Sequence, residues 1–271
     1  MYFRNFPKLD YDFNRTGSIN QMVDIFRSVK PLPSFVDTFT GYRTYTIENG
    51  ERPDIISTRL YGRPDLYWTF FVVNEFLHDG YRAWPMSQED LYSYMQKEYE
   101  GYVIEVKTKS RDDENNPGNF ETVNSIAGKF QINEVIRGLT SGAAGKLKKK
   151  NVDMNQLIVQ EWNSIPYIGN MHLNGGALEV IRGDTTFDTV DSFRTFAYAD
   201  APYYYYSAND SEKKPVTNAI HIESAVPNSD LEFQTYREFE FERNAERSRI
   251  RFVDNANIEK FVDRFFELIN V

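Results

Sequence analysis

Two short helical patterns meet at a corner, Tyr61-Gly-Arg-Pro64, which constrains the fold more than any other segment of the chain. Pro53 stands near the first turn of the earlier pattern, and Gly62 stands where a helix needs a residue in the left-handed region. Pro64 suits the first turn of the second pattern, which runs to about Phe76 and is apolar on almost every side. The sequence therefore predicts two short helices joined by a tight corner, the first with one apolar face and the second buried.

Strand and helix patterns flank this corner. Tyr42–Ile47 is rich in β-branched and aromatic residues and predicts a strand. Ser87 and the acidic residues after it are typical of the first turn of a third helix. Arg249–Val253 alternates as a strand, and residues 258–269 repeat apolar side chains at helical spacing, which predicts an amphipathic helix. Residues 236–243 fit either a helix or a strand.

The pattern changes at about residue 102, where short β-like runs separated by Gly and Asn begin. We therefore predict an α+β protein in four parts. These parts are an extended N-terminal arm over 1–39, a small βααβ core with the following helix over 40–101, a β-rich insert domain over 102–228, and a C-terminal helix-strand-helix segment over 229–271.

One short motif occurs twice within the predicted insert. Glu134-Val-Ile-Arg-Gly138 recurs as Glu179-Val-Ile-Arg-Gly183, 45 positions later. A single five-residue match is compatible with a duplicated strand-turn unit and also with coincidence, and it falls short of the repeats of a solenoid. Both interpretations stay open at the level of sequence.

Charge and composition exclude several classes of protein. Lys plus Arg number 31 and Asp plus Glu number 40, so the formal net charge is −9, which argues against a chain that grips phosphate backbones. The chain has no Cys, which excludes disulfide scaffolds, thiolate zinc sites and cysteine nucleophiles. No apolar run approaches the ~18 residues of a membrane span, so we expect no membrane partner and synthesis in a cytoplasm.

No catalytic or metal-binding motif stands out. The histidines His78, His172 and His221 are far apart and lack a second ligand at helical spacing, and hydrolase, zincin and nucleotide-binding motifs are missing. We therefore predict no metal, no cofactor and no enzymatic activity. A muramidase stays an alternative, because acidic residues are plentiful and a sequence does not reveal two carboxylates across a cleft.

Apolar side chains are frequent in the N-terminal arm, where leaving them in water is costly. They pack either on this chain or on partners. The candidate partner contacts in the arm and in the last helix are Phe6, Leu9, Tyr11, Phe13, Ile25, Phe26, Phe261 and Phe265.

The segments Tyr45–Asp54, Arg59–Trp68, Val73-Asn74 and Ala83–Ser87 resemble the LysM-like core of the baseplate wedge protein of T-even-type, contractile-tailed phages. Within them Tyr-Gly-x-Pro-x-Leu-Tyr-Trp is the most specific part. The likeness extends to the N-terminal arm and to Arg243–Asn270, whereas residues 102–225 have no counterpart in shorter members of the family.

This resemblance implies a structural subunit of the virion's tail baseplate, assembled in the cytoplasm of a bacterial host. Its partners would be other wedge proteins and the neighbouring wedge, in several copies of a six-fold assembly. We expect Gly62 to permit the left-handed turn, Trp68 and Trp84 to fill the core, and Asn74 to satisfy backbone groups. The full set of structural motif residues is Tyr61, Gly62, Pro64, Tyr67, Trp68, Asn74, Trp84 and Pro85.

The alternative function is that of a true LysM domain, which binds N-acetylglucosamine polymers of peptidoglycan. Likeness of fold does not carry that function by itself. Sugar binding would need exposed aromatic and amide side chains near residues 48–53 and 74–80, where Asn49 and Asn74 are the obvious amides.

Overall fold

The chain divides into two compact units. Unit 1 comprises Met1–Leu91 with Glu242–Val271, and unit 2 comprises Tyr92–Phe241. The computed structural model describes residues 6–13, 15, 17–25, 27, 41–106, 109–112, 120–123, 126–161, 180–216 and 230–270. Among these residues, no helix combines the length and the apolar character that crossing a membrane requires.

Helices and strands both occur, in agreement with the α+β class. The α-helices are α1 (Pro53–Tyr61), α2 (Trp68–Val73), α3 (Gln88–Glu98), α4 (Tyr236–Ser248) and α5 (Ile258–Ile269). Short 3-10 segments lie at Pro64–Leu66, Glu75–Leu77, Gly80–Arg82 and Tyr198–Asp200.

Within the described residues, the strands form one closed barrel and four two-stranded sheets. They are β1 (Lys8–Tyr11), β2 (Asn20–Val23), β3 (Tyr42–Thr46), β4 (Tyr102–Val106), β5 (Lys109–Asp112), β6 (Phe120–Val123), β7 (Val135–Gly138), β8 (Ala144–Asn151), β9 (Gln156–Glu161), β10 (Val180–Gly183), β11 (Thr189–Ala197), β12 (Pro202–Ser207), β13 (Leu231–Thr235) and β14 (Arg249–Val253).

The core of unit 1 is closed by two segments that are far apart in sequence. Strand β3 pairs antiparallel with β14, with Tyr45 opposite Ile250. The first two helices and the start of α5 pack against this pair. The buried residues of this core include Ile47, Ile56, Tyr61, Leu66, Phe70, Val73, Leu77, Trp84, Ile250, Val253 and Ile258.

The corner between the first two helices is held by backbone geometry and one buried hydroxyl. Gly62 ends α1 with φ 70°, and its N–H donates to the carbonyl of Thr58 at 2.9 Å. The Ser57 hydroxyl donates to the carbonyl of Arg63 at 2.6 Å. The segment after the corner is not one helix to Phe76, as the apolar pattern predicts. It is 3-10 over Pro64–Leu66, α-helical in α2, and extended at the α2 C-cap, since Asn74 has φ −108° and ψ 103°.

Unit 2 contains a closed six-stranded barrel in the order β10-β11-β4-β9-β8-β7. Its interior is apolar, because alternate residues of each strand turn inward. Buried members of that interior are Ile104, Val106, Ile136, Leu147, Leu157, Val159, Ile181 and Val190.

A reciprocal cap explains why residues 236–243 are helical. The Thr235 hydroxyl accepts from the N–H of Glu238 at 3.0 Å, and a Glu238 carboxylate oxygen accepts from the N–H of Thr235 at 2.9 Å. This is a capping box, which satisfies two amide donors at a helix start. The Thr-x-x-Glu spacing in the sequence is the signal that favours the helix over the strand.

Glu134 of the first repeated motif holds the turn that follows the second one. One carboxylate oxygen accepts from the N–H groups of Thr185 and Thr186 at 2.9 and 2.7 Å, and the other accepts from the N–H of Gln131 at 2.8 Å. Burial by itself raises the pKa of this carboxyl, but the hydrogen bonds outweigh burial, so the pKa of Glu134 lies below its ordinary value.

We expect Glu134→Gln to loosen this turn, because an amide lacks the charge and one of the two acceptor oxygens. The expected cost at pH 7 is about 1–3 kcal/mol, as for hydrogen bonds to charged groups. Since the folded-state pKa is lowered, the stabilisation is present at neutral pH and is lost as the pH falls below the ordinary Glu value of about 4.3.

To test this prediction, we would compare the protection of residues 180–190 from amide hydrogen exchange at pH 7 and at acid pH. Glu246→Gln, at an exposed site on α4, is the matched control and should leave the exchange unchanged. Equal protection in the Glu134 and Glu246 variants at pH 7 would contradict the role of Glu134.

The left-handed conformation of Gly62 gives a second prediction. A Cβ added there would meet no atom within 4 Å, so any cost of substitution comes from backbone strain. Gly62→Val should lower the free energy of unfolding by about 1–3 kcal/mol and reduce incorporation into any assembly. Gly62→Asn should cost less, because Asn tolerates this region better. Urea melts of both variants test this, and a Val variant as stable as wild type would refute it.

Candidate interaction surface

The N-terminal arm forms a two-stranded hairpin with an apolar face. In the antiparallel register of β1 and β2, Leu9 lies opposite Met22 and Tyr11 lies opposite Asn20. Residues opposite each other and two apart on a strand share one face of a sheet. Leu9 is 46% exposed and Tyr11 is 55% exposed, so this face is open to solvent in the described chain.

More apolar side chains surround the connection between the two strands. Phe13 is 70% exposed, and its ring lies 5.8 Å from the ring of Tyr11 at an angle of 79°. Ile19 and Ile25 are exposed as well. We call Leu9, Tyr11, Phe13, Ile19, Met22 and Ile25 the apolar hairpin surface. Exposed apolar side chains grouped in this way are typical of sites of protein association.

The base of the hairpin is fixed to its own unit. Arg27 donates to the carbonyl of Ile269 at 3.0 Å and pairs with Asp24 at 3.2 Å. The N–H of Asp24 donates to the carbonyl of Pro7 at 2.8 Å. Phe6 is buried against Trp68 and Ile269. The hairpin is therefore anchored at its base, while the side chains of the apolar hairpin surface stay exposed.

The structure corrects two of the predicted partner contacts. Phe6 and Phe265 are buried in the same cluster, where the ring of Phe265 lies 4.7 Å from that of Trp68, so neither offers surface to a partner. Phe261 is partly buried between this cluster and the unit core. Phe26 lies outside the described residues.

Asn74 joins α2 to β14 through three hydrogen bonds. Its side-chain N–H group donates to the carbonyls of Phe70 and Arg251, both at 2.8 Å, and its side-chain oxygen accepts from the N–H of Arg251 at 2.8 Å. The amide thus pairs with the backbone of Arg251 as a neighbouring strand would. Asn74 is buried, so all these groups depend on each other for satisfaction.

The other residues of the predicted motif lie in or beside the unit core. Tyr61 stacks on Phe70 with ring centroids 5.9 Å apart, and the indole N–H of Trp84 donates to the carbonyl of Glu51 at 2.8 Å. Pro64 is the first residue of its 3-10 segment. Tyr67 and Pro85 are half-buried.

Glu51 links β3 to α1 in a partly buried network. It accepts from the hydroxyl of Tyr45 at 2.8 Å and pairs with Arg59 at 2.7 Å. Burial by itself would raise the pKa of this carboxyl, yet the hydrogen bonds and the Arg59 charge hold the pKa below its ordinary value. This network stabilises the carboxylate and is a structural feature of the core.

The two amides that sugar binding would need have internal partners. The side-chain oxygen of Asn49 accepts from the N–H of Gln88 at 2.7 Å, and Asn74 bonds the backbone of Arg251. Exposed aromatic rings are present nearby at Phe76 and Tyr81. The amide of Asn74 and the side-chain oxygen of Asn49 are thus used inside the fold, which leaves fewer groups for hydrogen-bonded recognition of an acetamido group.

One carboxyl of unit 2 has a raised pKa and is buried, so a substrate in solvent does not reach it. Glu105 is buried, and burial raises its pKa despite the hydroxyl of Tyr205, which donates to it at 2.7 Å, and Arg194 at 3.3 Å. The amide of Gln156 donates to the carbonyl of Pro202 at 2.9 Å beside it. Perturbed carboxyls are candidates for catalysis, but a catalytic one must reach a substrate. Among the described residues, no group of three or more His, Cys, Asp or Glu could hold a metal ion.

Sequence reasoning missed three features of this surface. It identified neither Ile19 and Met22 as exposed members nor Arg27 as the anchor. The alternation of apolar residues around Leu9 and Met22, with Gly17 between them, is the signal that could have indicated a hairpin. Nothing in the sequence indicated that Arg251 is the backbone partner of Asn74.

Replacing Asn74 tests how much the core depends on that amide. We expect Asn74→Ala to lower the free energy of unfolding by about 2–4 kcal/mol, because it removes the side-chain hydrogen bonds to the N–H and carbonyl of Arg251 and to the carbonyl of Phe70. Asn270→Ala is the matched control, since Asn270 is exposed and bonds the carbonyl of Phe266. Urea denaturation followed by tryptophan fluorescence measures both. Equal small losses in the two variants would show that Asn74 does not join these segments.

The N-terminal part of the chain, which contains these features, is similar to known proteins. Residues 1–122 match the sequence model of a family described as base plate wedge protein 53. The chain is also similar to the baseplate wedge protein gp53 of Enterobacteria phage T4, with 34% identity over 104 residues. That alignment covers 36% of this chain and 52% of the relative, so the chain matches about half the length of that protein.

The resemblance to baseplate wedge proteins predicted from the sequence is thus confirmed over residues 1–122. The matched range contains the apolar hairpin surface, the corner at Gly62 and Asn74. The likeness of Arg243–Asn270 to the C-terminal end of the same family stays a prediction.

Proposed function

From the match of residues 1–122 to base plate wedge proteins, we propose that this chain is a structural component of a phage contractile-tail baseplate. One observation carries the proposal at the level of structure. The apolar hairpin surface lies in the matched range, is anchored at its base through Arg27 and is uncovered in the described chain. A partner that covers it would stabilise the assembly through apolar burial.

The role within the baseplate follows from the wedge family. The chain clamps other wedge proteins and promotes the joining of neighbouring wedges around the hub, in several copies of a six-fold assembly. It is made in the cytoplasm of the bacterial host and then resides in the virion. Its partners are proteins, without nucleic acid or membrane, and its role requires no enzymatic activity.

We propose that the core of unit 1 is LysM-like, since it contains two strands and two helices in βααβ order. Strand β3, helices α1 and α2, and strand β14 supply the four elements, and β14 pairs with β3. The second strand comes from the C-terminal segment instead of directly following the helices. In this arrangement the core holds the hairpin in a fixed position. The hydrogen bonds that Asn49 and Asn74 make within the fold disfavour glycan recognition.

Assembly with the tail proteins of its own phage tests the proposal. The full chain, co-expressed with the other tail proteins, should co-purify in a stoichiometric complex much larger than the free chain. Leu9→Asp should keep the fold, because Leu9 is exposed, but should fail to enter the complex because it places a charge on the apolar hairpin surface. Light scattering measures whether the variant enters the complex, and a melting curve measures whether it keeps the fold.

Ile132→Asp is the matched control, since Ile132 is 49% exposed and lies outside the matched range. It should assemble like wild type. A peptidoglycan pull-down runs in parallel. Saturable retention on glycan without complex formation would overturn the baseplate proposal in favour of a LysM-type binding module, and normal assembly of Leu9→Asp would remove the hairpin from the interface.

A further inference from the structure

The two copies of the repeated motif lie side by side in the barrel. Strands β7 and β10 pair antiparallel, with Arg137 directly opposite Arg182. The N–H of Leu139 donates to the carbonyl of Val180, and the N–H of Asp184 donates to the carbonyl of Val135, both at 3.0 Å. The same backbone pattern thus occurs on both sides of the arginine pair.

Each copy also begins a hairpin, and the spacing between the starts of its two strands is the same in both copies. Strand β7 leads through a turn to β8, and β10 leads through a turn to β11, with both second strands starting nine residues after the first. This geometry agrees with a duplicated unit and gives the barrel an approximate two-fold relation centred on the arginines.

Three cations gather on the outer wall at this point. The pleat turns Ile136 and Ile181 into the barrel interior and leaves Arg137 and Arg182 exposed. On the next strand Lys146 lies opposite Val135 and is exposed. Like charges directly opposite each other destabilise a sheet. The opposition of the two arginines therefore does not stabilise the sheet. Two carboxylates border the cluster, at exposed Asp184 and at half-buried Asp191, which lies opposite Val180 on the other side of β10.

An exposed aromatic ring accompanies the cations. The guanidinium of Arg182 lies 4.9 Å from the ring centre of Phe187, which is 64% exposed. Stacking on the ring orients the guanidinium while leaving its N–H groups available. Leu139, at the end of β7, is exposed as well. We call Arg137, Lys146, Arg182 and Phe187 the basic barrel surface.

We propose that the basic barrel surface binds a carboxylate-rich segment of a partner protein. Paired guanidinium forks match carboxylates in geometry and charge, and the neighbouring Phe187 and Leu139 suit the apolar side chains of a protein segment. Nucleic acid fits less well, because a chain of net charge −9 repels a phosphate backbone at long range. The surface lies outside residues 1–122, so it does not depend on the proposed baseplate role.

Binding of poly-L-glutamate to the full chain at low salt tests this proposal, with duplex DNA as the comparison probe. The Arg137→Ala/Arg182→Ala variant should bind poly-L-glutamate at least about tenfold more weakly than wild type, and wild-type binding should weaken as salt rises. The control is Lys97→Ala/Lys260→Ala, which makes the same change in charge at two exposed sites elsewhere and should bind like wild type.

The melting temperature of the variant shows whether weaker binding results from a damaged fold. Because the arginines oppose each other, the double arginine variant should melt at the wild-type temperature or above it. A lower melting temperature would assign the arginines to the fold and overturn the proposal. So would absent wild-type binding, an equal loss in the lysine control, or tighter binding of duplex DNA through the same two arginines.

Discussion

The pairing of β3 with β14 is the interaction on which unit 1 depends. The corner, the helices and the hairpin all rest on a core whose second strand comes from the far end of the chain. Asn74 secures that strand from the other side, since its amide bonds the N–H and carbonyl of Arg251. A strand has two edges with unpaired backbone groups, and here β3 satisfies one edge of β14 while Asn74 contributes to the other. The segment that matches the wedge family therefore folds around residues outside that match.

The fixed base of the hairpin lets the apolar hairpin surface bind a partner with little loss of conformational entropy. Fully burying one Leu, Met or Phe side chain is worth about 1.5–3 kcal/mol, so a few of them supply substantial binding energy. That energy is retained on association when little ordering has to occur at the interface. The contacts of Phe6 and Arg27 at the base of the hairpin provide such ordering in advance. The proposed role as a clamp would use this combination of fixed position and exposed apolar surface.

In unit 2 the repeated motif shows how one short sequence serves several purposes. The Ile residues fill the barrel interior, and Glu134 holds a turn. Gly183 packs so closely on the Glu134 carboxylate that a side chain there would collide with it. Each of these residue types thus has a reason within the fold. The arginines lie opposite each other on the exposed face, and the proposed binding role would account for them.

Several local features of this protein follow from its sequence alone. The left-handed turn at Gly62, the acidic first turn of α3 and the amphipathic α5 follow from backbone sterics, capping and helical spacing, which depend on residues a few positions apart. The exposure of Leu9 and Phe13 follows less directly, since an apolar arm packs equally well on its own unit, as Phe6 does. Only the tertiary structure decided that β14 completes the first sheet, that Asn74 bonds Arg251, and that the two Val-Ile-Arg-Gly segments become neighbours. These contacts join residues tens to hundreds of positions apart, and their energy comes from burial and strand pairing that no local pattern encodes.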